Sequence, residues 1–221
     1  MFRRLQQWLS GTGRGAKAGG LTPELEREIR ESFDRSADDE EHFPSTIDPR
    51  ILHVQLILRH LGPVADGRLL DAGCGKGRFA RVVAERHPAA RIAAMDISLA
   101  MLGRIEPGTI APCAGSLTAL PFASGAFDGA YATESLEHAV DIGAAVAELC
   151  RVVKPGGRIA VIDKNVEHWG RLQTPEWERW FSREEMEELL GRHCSRVESR
   201  FISYWEDVEP DGLFLAWLAV K

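Results

Sequence analysis

Cysteine is scarce in this sequence of 221 residues, and the four that occur are widely separated. Cys74, Cys113, Cys150 and Cys194 lie 39, 37 and 44 residues apart along the chain. This spacing contains no Cys-x-x-Cys pair and no Cys/His cluster, so neither a zinc site nor a disulfide framework is indicated, and we expect no bound metal. Scattered cysteines are typical of proteins in a reducing compartment, which favours a cytoplasmic location.

The sequence also lacks long apolar runs and any excess of positive charge. No apolar run approaches the roughly 20 residues that a membrane-spanning helix needs, and residues 1–10 lack the continuous apolar core of a secretory signal. The formal net charge of −6 argues against a broad nucleic-acid-binding face, so we expect no nucleic-acid partner. With 44% hydrophobic residues, the chain can bury one sizeable core.

A short apolar segment runs into a turn with three alternating glycines, Gly73, Gly75 and Gly77. Without a Cβ, these positions let the backbone bend sharply and approach a ligand closely. Residues 79–84 then resume apolar spacing typical of a helix. A strand, a glycine turn and a helix in this order form the place where open α/β sheets bind nucleotides, although a turn that merely closes the junction is the alternative.

Two acids beside this turn indicate which nucleotide it binds. Asp71 ends the strand just before the first glycine, where a carboxylate would repel a pyrophosphate but suits the ammonium and sulfonium of S-adenosylmethionine. Arg78 stands where a dinucleotide fingerprint requires its third glycine. Asp96 ends a second strand 19 residues after the last glycine, where an acid accepts both ribose hydroxyls. The alternative for Asp96 is a helix N-cap, but Ser98 is itself a good cap.

Four segments of the chain, taken together, resemble one family of proteins. They are residues 69–77, 95–98, 115–122 together with 127–128, and 149–157, and the resemblance spans about residues 65–163. In order and spacing they are similar to the class I S-adenosylmethionine-dependent methyltransferases, in particular to small-molecule members such as the ubiquinone/menaquinone biosynthesis methyltransferases.

The resemblance implies an α/β, Rossmann-like fold with a doubly wound seven-stranded sheet, mostly parallel with one antiparallel strand in a C-terminal hairpin. It implies S-adenosyl-L-methionine as cofactor and methyl transfer to a small-molecule acceptor by in-line displacement. A non-catalytic S-adenosylmethionine-binding protein is an alternative, and an RNA or protein methyltransferase is another, against which the negative charge counts. A short-chain reductase would need Tyr-x-x-x-Lys, and neither Tyr131 nor Tyr204 has a lysine four residues later.

The residues expected to bind the cofactor come from the glycine turn, the end of the second strand and two later loops. They are Asp71, Gly73, Cys74, Gly75, Gly77, Asp96, Ile97, Ser116, Leu117 and Thr133. Ser116 departs from the family, which usually has an acid there that accepts a hydrogen bond from the adenine amino group. A serine hydroxyl also accepts, but more weakly than a charged oxygen, and the Leu117 backbone N–H is expected to reach the adenine ring.

Apolar segments alternate with helical patterns from residue 67 onward, which predicts a parallel doubly wound sheet. Strands are expected near 67–72, 91–96, 109–114, 127–132, 157–163, 195–203 and 213–220. Helices are expected to start near residues 22 and 48, and then to fall near 77–87, 98–105, 140–153 and 182–191. The last two strands have a polar, turn-rich connection instead of a helix, which predicts an antiparallel pair.

Two loops, after the fourth and fifth strands, carry the candidates for the acceptor side, because both lie at the carboxyl edge of the predicted sheet. His138 is the candidate catalytic base, since the unperturbed pKa of histidine lies near neutrality; the alternative is that it orients a loop or caps a helix. Asp163, His168 and Trp169 are the candidate acceptor-binding residues. Residues 164–182, rich in tryptophan, are expected to form a substrate lid, unless their aromatic rings merely pack on the sheet.

Three parts of the chain follow from this pattern. Residues 1–20 are expected to form a flexible basic tail, residues 21–64 an N-terminal helical cap, and residues 65–221 the S-adenosylmethionine-binding domain. The apolar face of residues 1–10 could contact a membrane surface, but a frayed terminus is the simpler interpretation.

Overall fold

Strands and helices alternate along the chain, and the strands form one sheet. The computed structural model describes residues 21–106 and 108–221, so the predicted tail and its membrane-contact residues lie outside the described residues. The helices are α1 (Pro23–Arg35), α2 (Leu52–Leu61), α3 (Arg78–Arg86), α4 (Leu99–Leu102), α5 (Ile142–Val152) and α6 (Arg183–Gly191), with short 3-10 turns at Leu136–His138 and Val166–His168. The strands are β1 (Arg68–Ala72), β2 (Arg91–Asp96), β3 (Ile110–Ala114), β4 (Phe127–Thr133), β5 (Val153–Lys164), β6 (Arg196–Ile202) and β7 (Phe214–Val220).

The seven strands lie in the order β3-β2-β1-β4-β5-β7-β6. β7 runs antiparallel to both β5 and β6, whereas the other neighbouring strands are parallel. This confirms the predicted doubly wound sheet with one reversed strand in a C-terminal hairpin. The strand order reverses between β1 and β4, so the connections diverge there and leave a crevice at the carboxyl ends of these strands.

Each face of the sheet carries a hydrophobic core. Leu69 and Leu70 are adjacent in β1 and fully buried, yet they belong to different cores because side chains alternate along a strand. Leu70 shares its cluster with Val146 of α5, whereas Leu69 shares its cluster with Val83 of α3. A continuous apolar segment is what a parallel strand covered on both faces requires.

Most predicted boundaries lie close to the observed ones, and the largest differences are at α2 and β5. The sequence predicts a helix from residue 48, whereas α2 begins at Leu52. Asp48 instead holds a turn, accepting hydrogen bonds from the backbone and guanidinium of Arg50. β5 begins at Val153, earlier than predicted, because Val153 already pairs with Phe127 before a register shift in the ladder.

The N-terminal segment is fastened across the carboxyl edge of the sheet. Asp34, in α1, accepts hydrogen bonds from the hydroxyl of Ser98 at 2.6 Å and from the N–H of Ala100 at 3.1 Å. The loop after α1 is held by Lys76, whose Nζ donates to two backbone oxygens of that loop at 3.0 and 3.2 Å and to Glu40 at 2.6 Å. The Lys76 side chain is 1% exposed and that of Glu40 is 59% exposed, so only the lysine end of this attachment is buried.

His53, on α2, is a buried histidine whose ring nitrogens have no hydrogen-bond partner among the described residues. It stacks on Tyr204 with 4.8 Å between ring centroids, and burial lowers its pKa to about 4. As the pH falls below the ordinary pKa of histidine, His53 is protonated in the unfolded chain but stays neutral in the folded chain, so the free energy of unfolding decreases.

We expect the free energy of unfolding to fall by about 2 kcal/mol more in the wild type than in His53→Phe between pH 7.5 and pH 5, measured by urea unfolding. Equal pH dependence in the two proteins would contradict this account.

Candidate active site

A cavity opens at the carboxyl ends of β1, β2 and β4, where the strand order reverses. The structure brings most of the residues predicted to bind the cofactor to its wall. The lining includes Asp71, Gly73, Cys74, Gly75, Asp96, Ile97, Ser116, Leu117 and Thr133. Gly77 differs from this prediction, because it begins α3 in a left-handed conformation and does not line the cavity.

The glycine turn has a backbone conformation that residues with side chains rarely adopt. Gly73, Gly75 and Gly77 have φ angles of 75°, 52° and 76°. A Cβ on Gly73 would lie 2.4 Å from the Cβ of Ser135, whereas a Cβ on Gly75 would meet no atom within 4 Å. Gly75 therefore presents bare backbone to open space in the cavity.

Asp96, at the end of β2, holds this turn and also faces the cavity. Its Oδ2 accepts the N–H of Gly75 at 2.7 Å, and its Oδ1 accepts the N–H of Ser98 at 2.9 Å. The Ser98 hydroxyl caps α4 by accepting the N–H of Met101 at 3.1 Å, so Asp96 is not the helix cap. Burial raises the pKa of the Asp96 carboxyl. Each carboxylate oxygen has a second lone pair, which is available to a ligand hydroxyl.

Asp71, at the end of β1, is a buried acid with an unused acceptor. It is 2% exposed, lines the cavity, and has an Oδ2 without a hydrogen-bond partner among the described residues. Burial raises the pKa of its carboxyl to about 7. A buried polar group without a partner is costly, so a donor or cation from a ligand would stabilise this wall. Thr133 Oγ1, in the same wall, is likewise buried without a partner in the described part of the chain.

The cavity is covered from the N-terminal side. Ile29 and Phe33 of α1 and Phe43 of the following loop line it. The ring of Phe33 makes edge contacts with Phe43 at 5.9 Å and with His138 at 5.0 Å between centroids. These apolar rings cover the part of the cavity beside His138.

Residues 164–182 lie elsewhere, in contrast to the predicted lid. All of them are described, and none lines the cavity. The N–H of Phe181 donates to the Lys164 carbonyl at 3.2 Å, and the N–H of Val166 donates to the Phe181 carbonyl at 3.0 Å. Trp180 and Phe181 are 1% and 0% exposed. Main-chain pairing and the burial of these two aromatic rings therefore hold the segment against the sheet.

The three residues predicted to bind the acceptor are placed away from the cavity by the same packing. Asp163 is 0% exposed, and its carboxylate accepts two backbone N–H groups at 3.2 and 2.9 Å. His168 has its Nδ1 2.9 Å from a guanidinium nitrogen of Arg171. The ring of Trp169 packs edge-on against Trp180 with 5.3 Å between centroids. This arrangement gives none of the three a surface in the cavity.

His138 lines the cavity from the 3-10 turn after β4, the position expected for a group facing the methyl donor. Its protonation differs from the sequence-based expectation. The side chain is 16% exposed, and burial together with the charge of Lys164 lowers its pKa to about 3 instead of leaving it near neutrality. The imidazole is therefore neutral at physiological pH. A negative charge beside it would stabilise the imidazolium, raise its pKa and make it a stronger base.

Arg78 and Glu178 are residues of this region that sequence reasoning missed. Arg78 lines the cavity and forms an ion pair with Glu134 at 3.2 Å. Its position directly after the glycine turn was the available signal. Glu178 lies behind His138, with its Oε2 3.8 Å from the imidazole Nδ1. No local signal exists for this contact, because it joins residues that are 40 positions apart in the sequence.

Comparison with known proteins supports the resemblance seen in the sequence. A family profile described as a methyltransferase domain matches residues 70–161. The O-methyltransferase resE of Aspergillus sclerotiorum is 32% identical over 174 residues, which cover 70% of this chain and 64% of that protein. The demethylmenaquinone methyltransferase of Renibacterium salmoninarum is 33% identical over 122 residues, which cover 54% of this chain and 51% of that protein.

Solved structures share the fold. A Haloferax volcanii methyltransferase, solved in complex with the Trm112 methyltransferase activator, superposes with a TM-score of 0.71 at 19% identity, covering 87% of this chain and 96% of that chain. Residues 70–161 of this chain therefore resemble the methyltransferase domain of the class I S-adenosylmethionine-dependent methyltransferases. The resemblance inferred from the sequence is thereby confirmed, including its similarity to the menaquinone-type enzymes. The chain spans between 39% and 64% of the length of the curated relatives that it matches.

The methyltransferase family implies S-adenosyl-L-methionine as cofactor, and the residues of the cavity fit it. The unpartnered carboxyl oxygen of Asp71 suits an ammonium group, and the open space over Gly75 admits a ligand against the backbone. Asp96 faces the same space with free lone pairs.

Among the helices that the structure describes, none is long and apolar enough to cross a membrane.

Ser116 provides a test of adenine recognition in the cavity. It lines the cavity, and its Oγ lies 3.0 Å from the Oγ1 of Thr118. We expect Ser116→Ala to weaken binding of S-adenosylhomocysteine by about 0.5–1.5 kcal/mol, and Ser116→Asp to bind equally or more tightly, because a charged acceptor is stronger. Titration calorimetry measures both, with Thr118→Val as the control for losing the neighbouring hydroxyl. Identical affinities in all Ser116 variants would show that the side chain does not contact the cofactor.

Proposed function

We propose that this protein transfers the methyl group of S-adenosylmethionine to a small-molecule acceptor. The observation that carries the proposal is the buried Asp71 carboxyl, beside the bare backbone of Gly75, in a cavity that also contains His138. Buried acids with an unused acceptor suit a cationic cofactor. The relatives support the acceptor class, because one is named as an O-methyltransferase and another as a demethylmenaquinone methyltransferase.

The cofactor is held, in this proposal, by the carboxyl ends of β1, β2 and β4 and the loop after β3. Asp71 binds the ammonium of its methionine part, and Asp96 accepts hydrogen bonds from the ribose hydroxyls. Ser116 and the backbone of Leu117 contact the adenine. The remaining wall consists of Gly73, Cys74, Gly75, Ile97 and Thr133. Gly77 contributes only the backbone conformation that starts α3.

When bound, S-adenosylmethionine supplies an activated methyl group, whose bond to sulfur breaks with its electron pair left on sulfur as the bond to the acceptor forms. The protein's own residues position the acceptor in line with the breaking bond, which lowers the barrier through orientation. Phe33 and Phe43 exclude water from this place. His138 accepts the proton that a protonated oxygen or nitrogen acceptor loses, and it later passes this proton to solvent.

A methyl-transfer assay with labelled S-adenosylmethionine tests the proposal. The acceptor panel contains phenols, quinone precursors, sugars and amines, with transfer RNA and a protein mixture as competing substrates. We expect label in at least one small molecule, with S-adenosylhomocysteine formed in equal amount. Label in RNA or protein alone would contradict the acceptor class. Tight cofactor binding without transfer to any acceptor would favour the non-catalytic alternative, and binding of NAD instead of S-adenosylmethionine would overturn the proposal entirely.

A further inference from the structure

Behind His138, on the side away from the cavity, lies a buried group of charged side chains from three parts of the chain. Glu137 belongs to the same 3-10 turn, Lys164 to the end of β5, and Glu178 to the segment that follows β5. They are 1%, 9% and 4% exposed. Ligand atoms of Glu137, His138 and Glu178 lie within 4.8 Å of one another, as they would around a metal ion.

The cation within this group is the ammonium of Lys164. Its Nζ donates to Glu137 Oε1 and lies 3.7 Å from Glu178 Oε1. A divalent ion held by the same carboxylates would have to displace this ammonium. The geometry therefore favours an internal ion-pair group over a metal site, and it raises the question of what the group does for His138.

Glu178 is held rigidly with one oxygen directed at the imidazole. Its Oε1 accepts the indole N–H of Trp180 at 2.6 Å. The N–H of Arg179 donates to the carbonyl of Glu137 at 2.8 Å, which ties the segment to the turn that carries His138. The second oxygen of Glu178, Oε2, then lies 3.8 Å from His138 Nδ1, a buried nitrogen without a hydrogen-bond partner among the described residues.

Glu137 Oε1 lies 3.5 Å from His138 Nε2, but this oxygen already accepts a hydrogen bond from Lys164 Nζ. We propose that Glu178 is a positioning residue for His138: the Glu178 carboxylate accepts Nδ1–H, so that Nε2 carries the lone pair that takes the proton of the acceptor. This role rests on the proposed function. Hydrogen bonds in such pairs are often long before substrate binds and shorten in the complex. A carboxylate hydrogen-bonded to a catalytic histidine also stabilises the imidazolium that forms, as it does where a carboxylate orients the base of a catalytic triad.

The charges around His138 make this support necessary. The ammonium of Lys164 opposes protonation of the imidazole, while Glu137 and Asp163 compensate that ammonium. α1 contributes the apolar ring of Phe33 on the cavity side. Burial and the neighbouring Glu137 raise the pKa of Glu178 to about 7. Glu178 is therefore neutral below this pH and charged above it, so the methyl-transfer rate should rise through about pH 7 as Glu178 ionises.

Glu178→Gln is the test, because glutamine keeps the shape but has a single acceptor oxygen. Trp180 Nε1 requires that oxygen, so the amide NH₂ faces Nδ1 and reverses the hydrogen bond. Glu176, exposed and two residues earlier in the same segment, provides the matched control Glu176→Gln. Glu178→Asp keeps the charge and provides a second variant.

Two measurements separate this inference from the proposed function. Nitrogen-15 NMR of labelled histidine at pH 8 reports the tautomer of His138 without any acceptor, with the resonance assigned through His138→Ala. We expect the Nδ1–H form in the wild type, in Glu176→Gln and in Glu178→Asp, and the Nε2–H form in Glu178→Gln. With an acceptor that the assay shows to be a substrate, we expect Glu178→Gln to lower kcat about 10²-fold and to leave KM nearly unchanged. We also expect this variant to lose the rise in rate near pH 7.

An unchanged tautomer in Glu178→Gln would overturn the inference while leaving methyl transfer intact. Conversely, failure of every acceptor would count against the proposed function, and the NMR result would still decide the role of Glu178. Titration of the wild type with Mg²⁺ or Zn²⁺ completes the test. A stoichiometric shift of the His138 resonance that Glu178→Gln abolishes would assign this group to a metal instead.

Discussion

Alanine in place of His138 is expected to lower turnover about 10²–10⁴-fold, the range for loss of a general base. The imidazole lines the cavity beside Phe33 and is the titratable group that we propose takes the acceptor proton. Binding of S-adenosylmethionine should stay near the wild-type level, because the base meets the acceptor and not the cofactor. Steady-state kinetics with an acceptor that the protein methylates measure the effect on turnover, and calorimetry with the cofactor measures the effect on affinity.

His168→Ala is the informative comparison for this experiment. The sequence makes His168 a candidate acceptor-binding residue, but the structure places it against Arg171, away from the cavity. We therefore expect this variant to retain turnover within a few-fold of wild type. Full activity in His138→Ala would leave positioning alone as the source of catalysis, and loss of cofactor affinity in that variant would move His138 into the cofactor site.

Asp96→Ala is expected to weaken binding of both S-adenosylmethionine and S-adenosylhomocysteine by about 1.5–3 kcal/mol, roughly 10- to 150-fold. The carboxylate does two things that alanine cannot: it faces the ligand, and it accepts the N–H of Gly75 and of Ser98. Titration calorimetry gives the affinities, and thermal unfolding without ligand shows how much of the change comes from a loosened turn.

Asp96→Asn separates these two contributions. Asparagine has one acceptor oxygen and therefore can satisfy only part of what Asp96 does for the turn and the ligand. We expect an intermediate affinity. Wild-type affinity in Asp96→Ala would exclude the ribose contact, and a loss confined to stability would reduce Asp96 to a structural support of the glycine turn.

The sequence predicted the parts of this molecule that depend on short-range pattern. Adjacent Leu69 and Leu70 serve two cores, and a strand with this property is recognisable because both faces must be apolar. Asp71 and Asp96 could be placed at the cavity because parallel strands of one sheet end at the same edge. The parallel topology therefore brings Asp71 and Asp96 together at one edge of the sheet, although they are far apart in the sequence.

What the sequence could not predict depends on contacts between distant residues. The path of residues 164–182 is set by the pairing of Asn165 with Phe181, which no local pattern announces. The low pKa of His138 arises from burial beneath α1 and from Lys164, and neither is visible in the residues next to it. The N-terminal cover of the cavity likewise depends on long-range contacts, such as the one between Asp34 and Ser98.

Lys76 has a consequence for the timing of the catalytic cycle. It is part of the glycine turn, yet its ammonium is bonded to Glu40 and to the backbone of the loop after α1. That loop also supplies His42, Phe43 and Pro44 to the cavity wall, so any displacement of it breaks these bonds together. In the function proposed above, a bound cofactor that leaves only when these bonds break would exchange slowly, and departure of the demethylated cofactor would then limit steady-state turnover more than the methyl transfer itself.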